Sequence, residues 1–160
     1  MGRGEVRLLT EIFWINLDSR PDRRRFMETQ FAELGLAAER IAAVTPETLD
    51  AQTRARGPGL APSERCVTAS HAAAWGRVLD RDLTHALVLE DDAWLSRLVP
   101  GFLAEAGALM SELDLVRTET GRRRVPLGPA SHTLRCGVTL QRAYSGQWGT
   151  AGYLISRRGA

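Results

Sequence analysis

An α/β domain with a largely parallel sheet is the fold class this sequence predicts, on three observations. Short apolar runs rich in β-favouring residues alternate with longer segments of helical period, and the first three of these segments make a β-α-β opening. The last forty or so residues weaken into short β-like pieces divided by Gly, Pro and Ser. The chain of 160 residues has the size of one ordinary domain, taken as 1–160.

The elements follow in order. Ile12-Phe13-Trp14-Ile15 reads as a strand, and Asn16-Leu17-Asp18-Ser19 after it has turn and capping chemistry. Pro21 suits the first turn of a helix in which Met27, Phe31 and Leu34 recur at helical spacing, and Gly35 marks its stop. Arg40 to Val44 is the second strand. Thr45 to Pro62 is poor in large apolar residues and rich in Pro and Gly, so it reads as a loop with a short helical turn near Glu47 to Ala51. A helix from Ser63 or Glu64 to about Arg81 places Val67, His71, Ala74 and Val78 on one face.

Ala86-Leu87-Val88-Leu89 is an unbroken apolar run of the kind buried on both faces of a sheet. Pro100 then opens a helix carrying Phe102, Ala106, Leu109 and Leu113, followed by a strand from Asp114 to Thr120. Beyond it lie β-like pieces at Arg123–Val125 and Val138–Leu140, and a last strand at Gly152–Ser156.

Hydrophobic residues make up 44% and charged residues 25% of the chain, which excludes wholesale disorder. No run approaches the roughly 18 to 20 apolar residues that span a bilayer. Glu11 and Asn16 interrupt the only run near the N-terminus that resembles a signal-peptide core, so a cytoplasmic location is expected. Cys66 and Cys136 belong to no Cys-x-x-Cys pattern and are expected as free thiols. All 21 cationic side chains are Arg, and a net charge of +2 is too small to imply nucleic acid. An Arg-rich face can still touch anionic headgroups at the inner face of a membrane.

Glu90, Asp91 and Asp92 put three carboxylates where the third strand should leave the sheet. Adjacent like charges repel unless a cation sits between them. One reading is a divalent-metal site in the crevice beyond the carboxyl ends of the strands; the other is a cap for the following helix. Oxygen ligands suit Mg²⁺ or Mn²⁺, with Glu90 and Asp92 on the ion and Asp91 turned to a sugar hydroxyl or a neighbouring group. Asn16 and Arg23 flank the first β-α turn and are either nucleotide contacts or a turn residue and part of a solvated Arg20–Arg25 face. His71, beside Trp75 on an apolar stripe, is either a packed core residue or part of a site.

Together the blocks resemble glycosyltransferase family 25, the lipopolysaccharide-biosynthesis galactosyltransferase family that also includes the collagen galactosyltransferases. The resemblance is carried in order by Ile15-Asn16-Leu17-Asp18 with Arg23, by Arg40 to Val44, by Ser70-His71, and by Leu87 to Asp92. It continues through Asp114 to Thr120 and Gly149 to Ser156 with Gly159-Ala160. It implies a GT-A-like (Rossmann-like) nucleotide-sugar-binding domain, a UDP-sugar donor such as UDP-galactose, and an oligosaccharide or glycolipid acceptor. It also implies Mn²⁺ or Mg²⁺ on Glu90 and Asp92, and Asn16, Arg23, Ser70, His71 and Asp91 as nucleotide-sugar-binding residues. Asp91 and Glu119 are the expected catalytic residues, Glu119 as the base. Because family members usually continue beyond the point matching Ala160, the resemblance leaves two expectations, an intact domain or a C-terminally shortened one. The expected function is transfer of a hexose, galactose by resemblance, in lipopolysaccharide or surface glycan synthesis. A nucleotide-sugar or glycan binding module without turnover is the alternative.

Overall fold

Strand β1 (Glu11–Asn16) sorts its side chains by parity: Ile12 and Trp14 enter one apolar cluster and Phe13 and Ile15 another, on the opposite face of the sheet. Strand β3 (His85–Glu90) repeats the pattern, with Leu87 and Leu89 on the first face and Ala86 and Val88 on the second. Both runs are therefore continuous apolar stretches because both faces are covered. The computed structural model describes residues 10–51, 59–119, 124–144 and 149–160.

Helix α1 (Pro21–Leu34) begins on Pro21 with Asp22 in its first turn and ends on Gly35, whose φ of 64° accommodates the left-handed cap and lets Leu36 N–H reach Phe31 O at 2.9 Å. Its buried residues, Met27 and Phe31, join the first cluster, where Trp14 tilts against Phe31 with ring centroids 5.9 Å apart. After β2 (Glu39–Ala42) and a turn in which Thr48 and Leu49 N–H both return to Thr45 O, helix α2 (Pro62–Asp80) covers the second face with Ala74 and Val78. Helix α3 (Val99–Glu112) returns to the first face through Phe102, Ala106, Leu109 and Met110. Helices thus lie on both sides of the sheet.

The sheet has five strands in the order β2-β1-β3-β7-β4, where β4 is Leu115–Arg117 and β7 is Gly152–Ser156. β1 is parallel to β2 and β3, but β7 runs antiparallel to both β3 and β4. The expected largely parallel sheet is therefore a mixed one. Apolar alternation records which face a residue occupies and carries no record of strand direction, so the insertion of β7 was not readable from it. Leu154 in β7 has no exposed surface and packs in the first cluster, and Leu154→Ala would cost about 2 to 5 kcal/mol.

Strands β5 (Leu127–Thr133) and β6 (Thr139–Ala143) form a separate antiparallel pair whose turn is closed by Leu134 and Gly137, the latter at φ 86°. β6 contains the Val138–Leu140 expectation in part. Of the Arg123–Val125 piece, residue 123 lies outside the described residues, and Arg124 and Val125 are not in a strand. Two further corrections concern single side chains. Val67 is 47% exposed, because the buried stripe of α2 runs through Cys66, Ser70, His71, Ala74 and Val78. Leu113 stands just beyond α3, half-buried against the first cluster. Both cysteines are free thiols. Among the described residues no helix is long and apolar enough to cross a membrane.

Candidate active site

The acidic triplet leaves the end of β3 in a turn, and α3 begins only at Val99, so these carboxylates do not cap that helix. The parallel strands β1 and β3 end side by side, Ile15 pairing with Glu90, which sets Asn16 next to the acids. A cleft of about 330 Å³ opens there, lined by Asn16, Arg23, Ser70, His71, Glu90 and Asp91, together with Val67, Cys66 and the segment Ala43 to Pro46. This is the crevice beyond strand carboxyl ends where open α/β sheets receive ligands. A larger hollow of about 430 Å³ lies along α1 between Phe26, Gln30 and Trp94, but it gathers neither the acids nor His71.

Asp91 is 7% exposed, and each of its carboxylate oxygens has its own donor. Asn16 Nδ2 donates to Oδ2 at 2.7 Å and Arg23 donates to Oδ1 at 2.8 Å. The amide of Asn16, only 1% exposed, is fully engaged: Nδ2 also reaches Arg20 O at 3.3 Å, and Oδ1 accepts from Arg40 Nε at 2.9 Å. Its visible work is to hold Asp91 in place. The Asp91 hydrogen bond raises the Arg23 guanidinium pKa above its ordinary value. Arg23 also pairs with Asp92 at 3.2 Å, and the Asp92 side chain is 52% exposed. Of the Arg20–Arg25 run, Arg20 and Arg24 make surface pairs with Asp22 and Glu28, while Arg23 turns to the acids.

Glu90 is held differently. His71 Nε2 lies 3.2 Å from Glu90 Oε1, and the Thr150 hydroxyl donates to the same oxygen. Mainly through the His71 hydrogen bond, and against the effect of burial, the carboxyl is kept below the usual carboxylate range. Behind His71, Nδ1 stands 2.8 Å from the Tyr153 hydroxyl, which also accepts from Trp75 Nε1 at 2.8 Å. Burial is the main reason that the Tyr153 phenol is pushed up to about 12. Ser70 is structural in its contacts: its hydroxyl donates to Cys66 O at 2.7 Å and accepts from Val44 N–H at 2.8 Å, tying α2 to the loop that lines the cleft.

The structure therefore brings Asn16, Arg23, Ser70, His71, Glu90 and Asp91 around one cleft, with Asp92 on its Arg23 side. Glu119 does not line it. Its carboxylate is paired with Arg117 and packs against Gly149, next to Thr150. Sequence reading missed Arg40, Thr150 and Tyr153 as supports of the site. A phenol on a strand face that meets a helix needs a polar partner, and a half-buried Arg within a short strand needs an acid or amide; those were the available signals.

The sequence profile of Glycosyltransferase family 25 (LPS biosynthesis protein) matches residues 9–160. The chain belongs to glycosyltransferase family 25. Similar proteins include the Lacto-N-neotetraose biosynthesis glycosyltransferase LgtB of Neisseria meningitidis serogroup B, 33% identical over 156 residues that cover 90% of this chain and 57% of that protein. LgtE of the same organism is 32% identical, over 89% of this chain and 55% of its own length. Procollagen galactosyltransferase 1 of Danio rerio is 32% identical over 94% of this chain, but only 27% of that protein is matched. The chain thus spans about half the length of the Neisseria members of family 25 that it matches.

Proposed function

We propose that this chain is the nucleotide-sugar side of a glycosyltransferase, on a GT-A-like fold, which takes a hexose from a UDP-sugar and passes it to a saccharide acceptor in lipopolysaccharide or surface glycan synthesis. Galactose is the proposed hexose. The observation that carries the reading is the cleft, in a family 25 chain, where residues of β1, α1, α2 and β3 converge beyond the ends of parallel strands. The relatives include a galactosyltransferase of procollagen and glycosyltransferases of lacto-N-neotetraose biosynthesis, names that agree with galactose as the sugar and with a saccharide acceptor. A glycolipid acceptor accords with a cytoplasmic protein working in peripheral contact with the inner membrane face.

A divalent cation fits the acids only as a shared ligand. Among the described residues no group of three or more His, Cys, Asp and Glu side chains could hold a metal. Mg²⁺ and Mn²⁺ can be bound through one or two carboxylates, the other positions being filled by water and substrate phosphate. Glu90 and Asp92 suit that role: the hydrogen bonds to each fall on a single oxygen, and the other oxygen accepts none from the described residues. When bound, the ion would offset the charge of the departing diphosphate.

The protein's own groups do the rest. Arg23, at the cleft and more than a third exposed, supplies a guanidinium for phosphate oxygens while it holds Asp91. Asp91, clamped by Asn16 and Arg23, is placed to orient the donor sugar. Glu119, just past β4, is the proposed base for the acceptor hydroxyl, since its neighbour Gly149 adjoins the Thr150 that holds Glu90.

Calorimetry with UDP and Mn²⁺, run beside a UDP-galactose turnover assay, tests the reading. Metal-dependent UDP binding and turnover are expected, and Asp92→Ala should abolish the metal-dependent part. Activity unchanged in Asp92→Ala removes the metal from the proposal, whereas UDP binding without turnover supports the non-catalytic binding module.

A further inference from the structure

We infer that Tyr153, anchored by Trp75, is a positioning residue that donates to Nδ1 of the Nε2–H tautomer of His71, holds the ring, and thereby aims the Glu90 carboxylate into the cleft. The inference gives a purpose to the nucleotide-sugar reading of the same site. Four side chains from three elements form one hydrogen-bonded row: Trp75 and His71 on α2, Tyr153 on β7 and Glu90 on β3. The protons in this row are determined by what each group can do.

An indole N–H only donates, so the Tyr153 oxygen must accept from Trp75 at 2.8 Å. An ionised carboxylate only accepts, so His71 Nε2, 3.2 Å from Glu90, must carry hydrogen. In a neutral imidazole Nδ1 is then the bare nitrogen, and the Tyr153 hydroxyl donates to it at 2.8 Å. The doubly protonated ring does not fit as well. It would make the phenol oxygen accept from Trp75 and His71 at once, leaving the phenol proton with no acceptor among the described residues. His71 and Tyr153 are 3% and 5% exposed, so an unmade hydrogen bond here has little water to replace it.

The consequence falls on Glu90. Its Oε1 takes both the His71 N–H and the Thr150 hydroxyl, a pair of neutral donors that fixes the carboxylate direction without cancelling its charge. Orienting groups behind a site residue commonly affect affinity or activity on the order of tenfold to a hundredfold.

Ring ¹⁵N NMR of the labelled full chain tests this without any substrate. The wild-type His71 ring should be the single Nε2–H tautomer. Tyr153→Phe should leave Nδ1 a bare nitrogen without its donor, moving the Nδ1 resonance while Glu90 keeps the hydrogen on Nε2, and should lower UDP-sugar turnover on the order of tenfold. Trp75→Phe should shift that resonance in the same direction by less. An Nδ1–H or doubly protonated ring in the wild type overturns the inference even if neither variant folds, as does a Tyr153→Phe ring identical to the wild type. If the tautomer behaves as stated but the wild-type chain binds no UDP, the positioning stands and the nucleotide-sugar reading falls.

Discussion

Glu90 and Asp91 are neighbours in sequence, yet the protein treats them as opposites. Asp91 is met by a guanidinium and an amide, so its charge is balanced and both of its oxygens are engaged. Glu90 is met by an imidazole and a hydroxyl on one oxygen, and its other oxygen accepts from none of the described residues. The difference separates an acid whose two oxygens are both held by the protein from an acid with one oxygen that the described residues leave unbonded. Three consecutive carboxylates therefore do not form one interchangeable cluster.

The widest break in that contrast should come from Asp91→Ala. It leaves Arg23 and the buried Asn16 without their shared partner, and a loss of about 2 to 3 kcal/mol is expected in urea denaturation. That is less than for a fully enclosed pair, because the Arg23 side chain is 37% exposed. Glu90→Gln should lower stability by no more than about 1 kcal/mol, since an amide oxygen still accepts from His71 and Thr150. Its turnover of a UDP-sugar should nonetheless fall at least about tenfold, as the free charge is gone. Equal stability losses in the two variants would show that the acids share one role.

The smallest effect at neutral pH concerns the group behind Glu90. Tyr153 holds its proton up to about 12 in the folded protein against an ordinary 10.0, so the folded state binds the proton more tightly than the unfolded chain. Its contribution to stability is fully present below pH 10 and is lost as pH rises from 10.0 toward 12. The urea midpoint of the wild type should therefore fall more steeply across that alkaline window than that of Tyr153→Phe. Parallel slopes would place the Tyr153 hydroxyl outside the buried row.

Much of the architecture was legible because local chemistry and tertiary role agree. Pro21 and Gly35 bracket α1 in the sequence as they do in space, and the runs around Phe13 and Val88 are apolar throughout because helices cover both faces. The hairpin was less legible: β5 contains Gly128 and Pro129 and has mostly exposed side chains, so neither propensity nor alternation marks it. At the site, the residue types and their clustering could be read from the sequence blocks. The division of labour could not, because it depends on partners far along the chain. Arg40 reaches Asn16 across 24 positions, and Tyr153 reaches His71 across 82.

The place of β7 also gives the molecule an order of assembly. It follows the other strands of its sheet in the chain, yet it sits between β3 and β4, and it carries Tyr153 while the segment just before it carries Thr150. On a ribosome the first β-α-β unit can pair early, but β4 has no neighbour and Glu90 lacks both Thr150 and the Ala151 carbonyl that receives its N–H. Nascent chains arrested before residue 150 would hold all three acids with neither the hydroxyl of Thr150 nor the phenol behind His71 in place. Closing the sheet and completing the contacts of Glu90 and His71 are one event, which waits for the segment from Thr150 to Ser156.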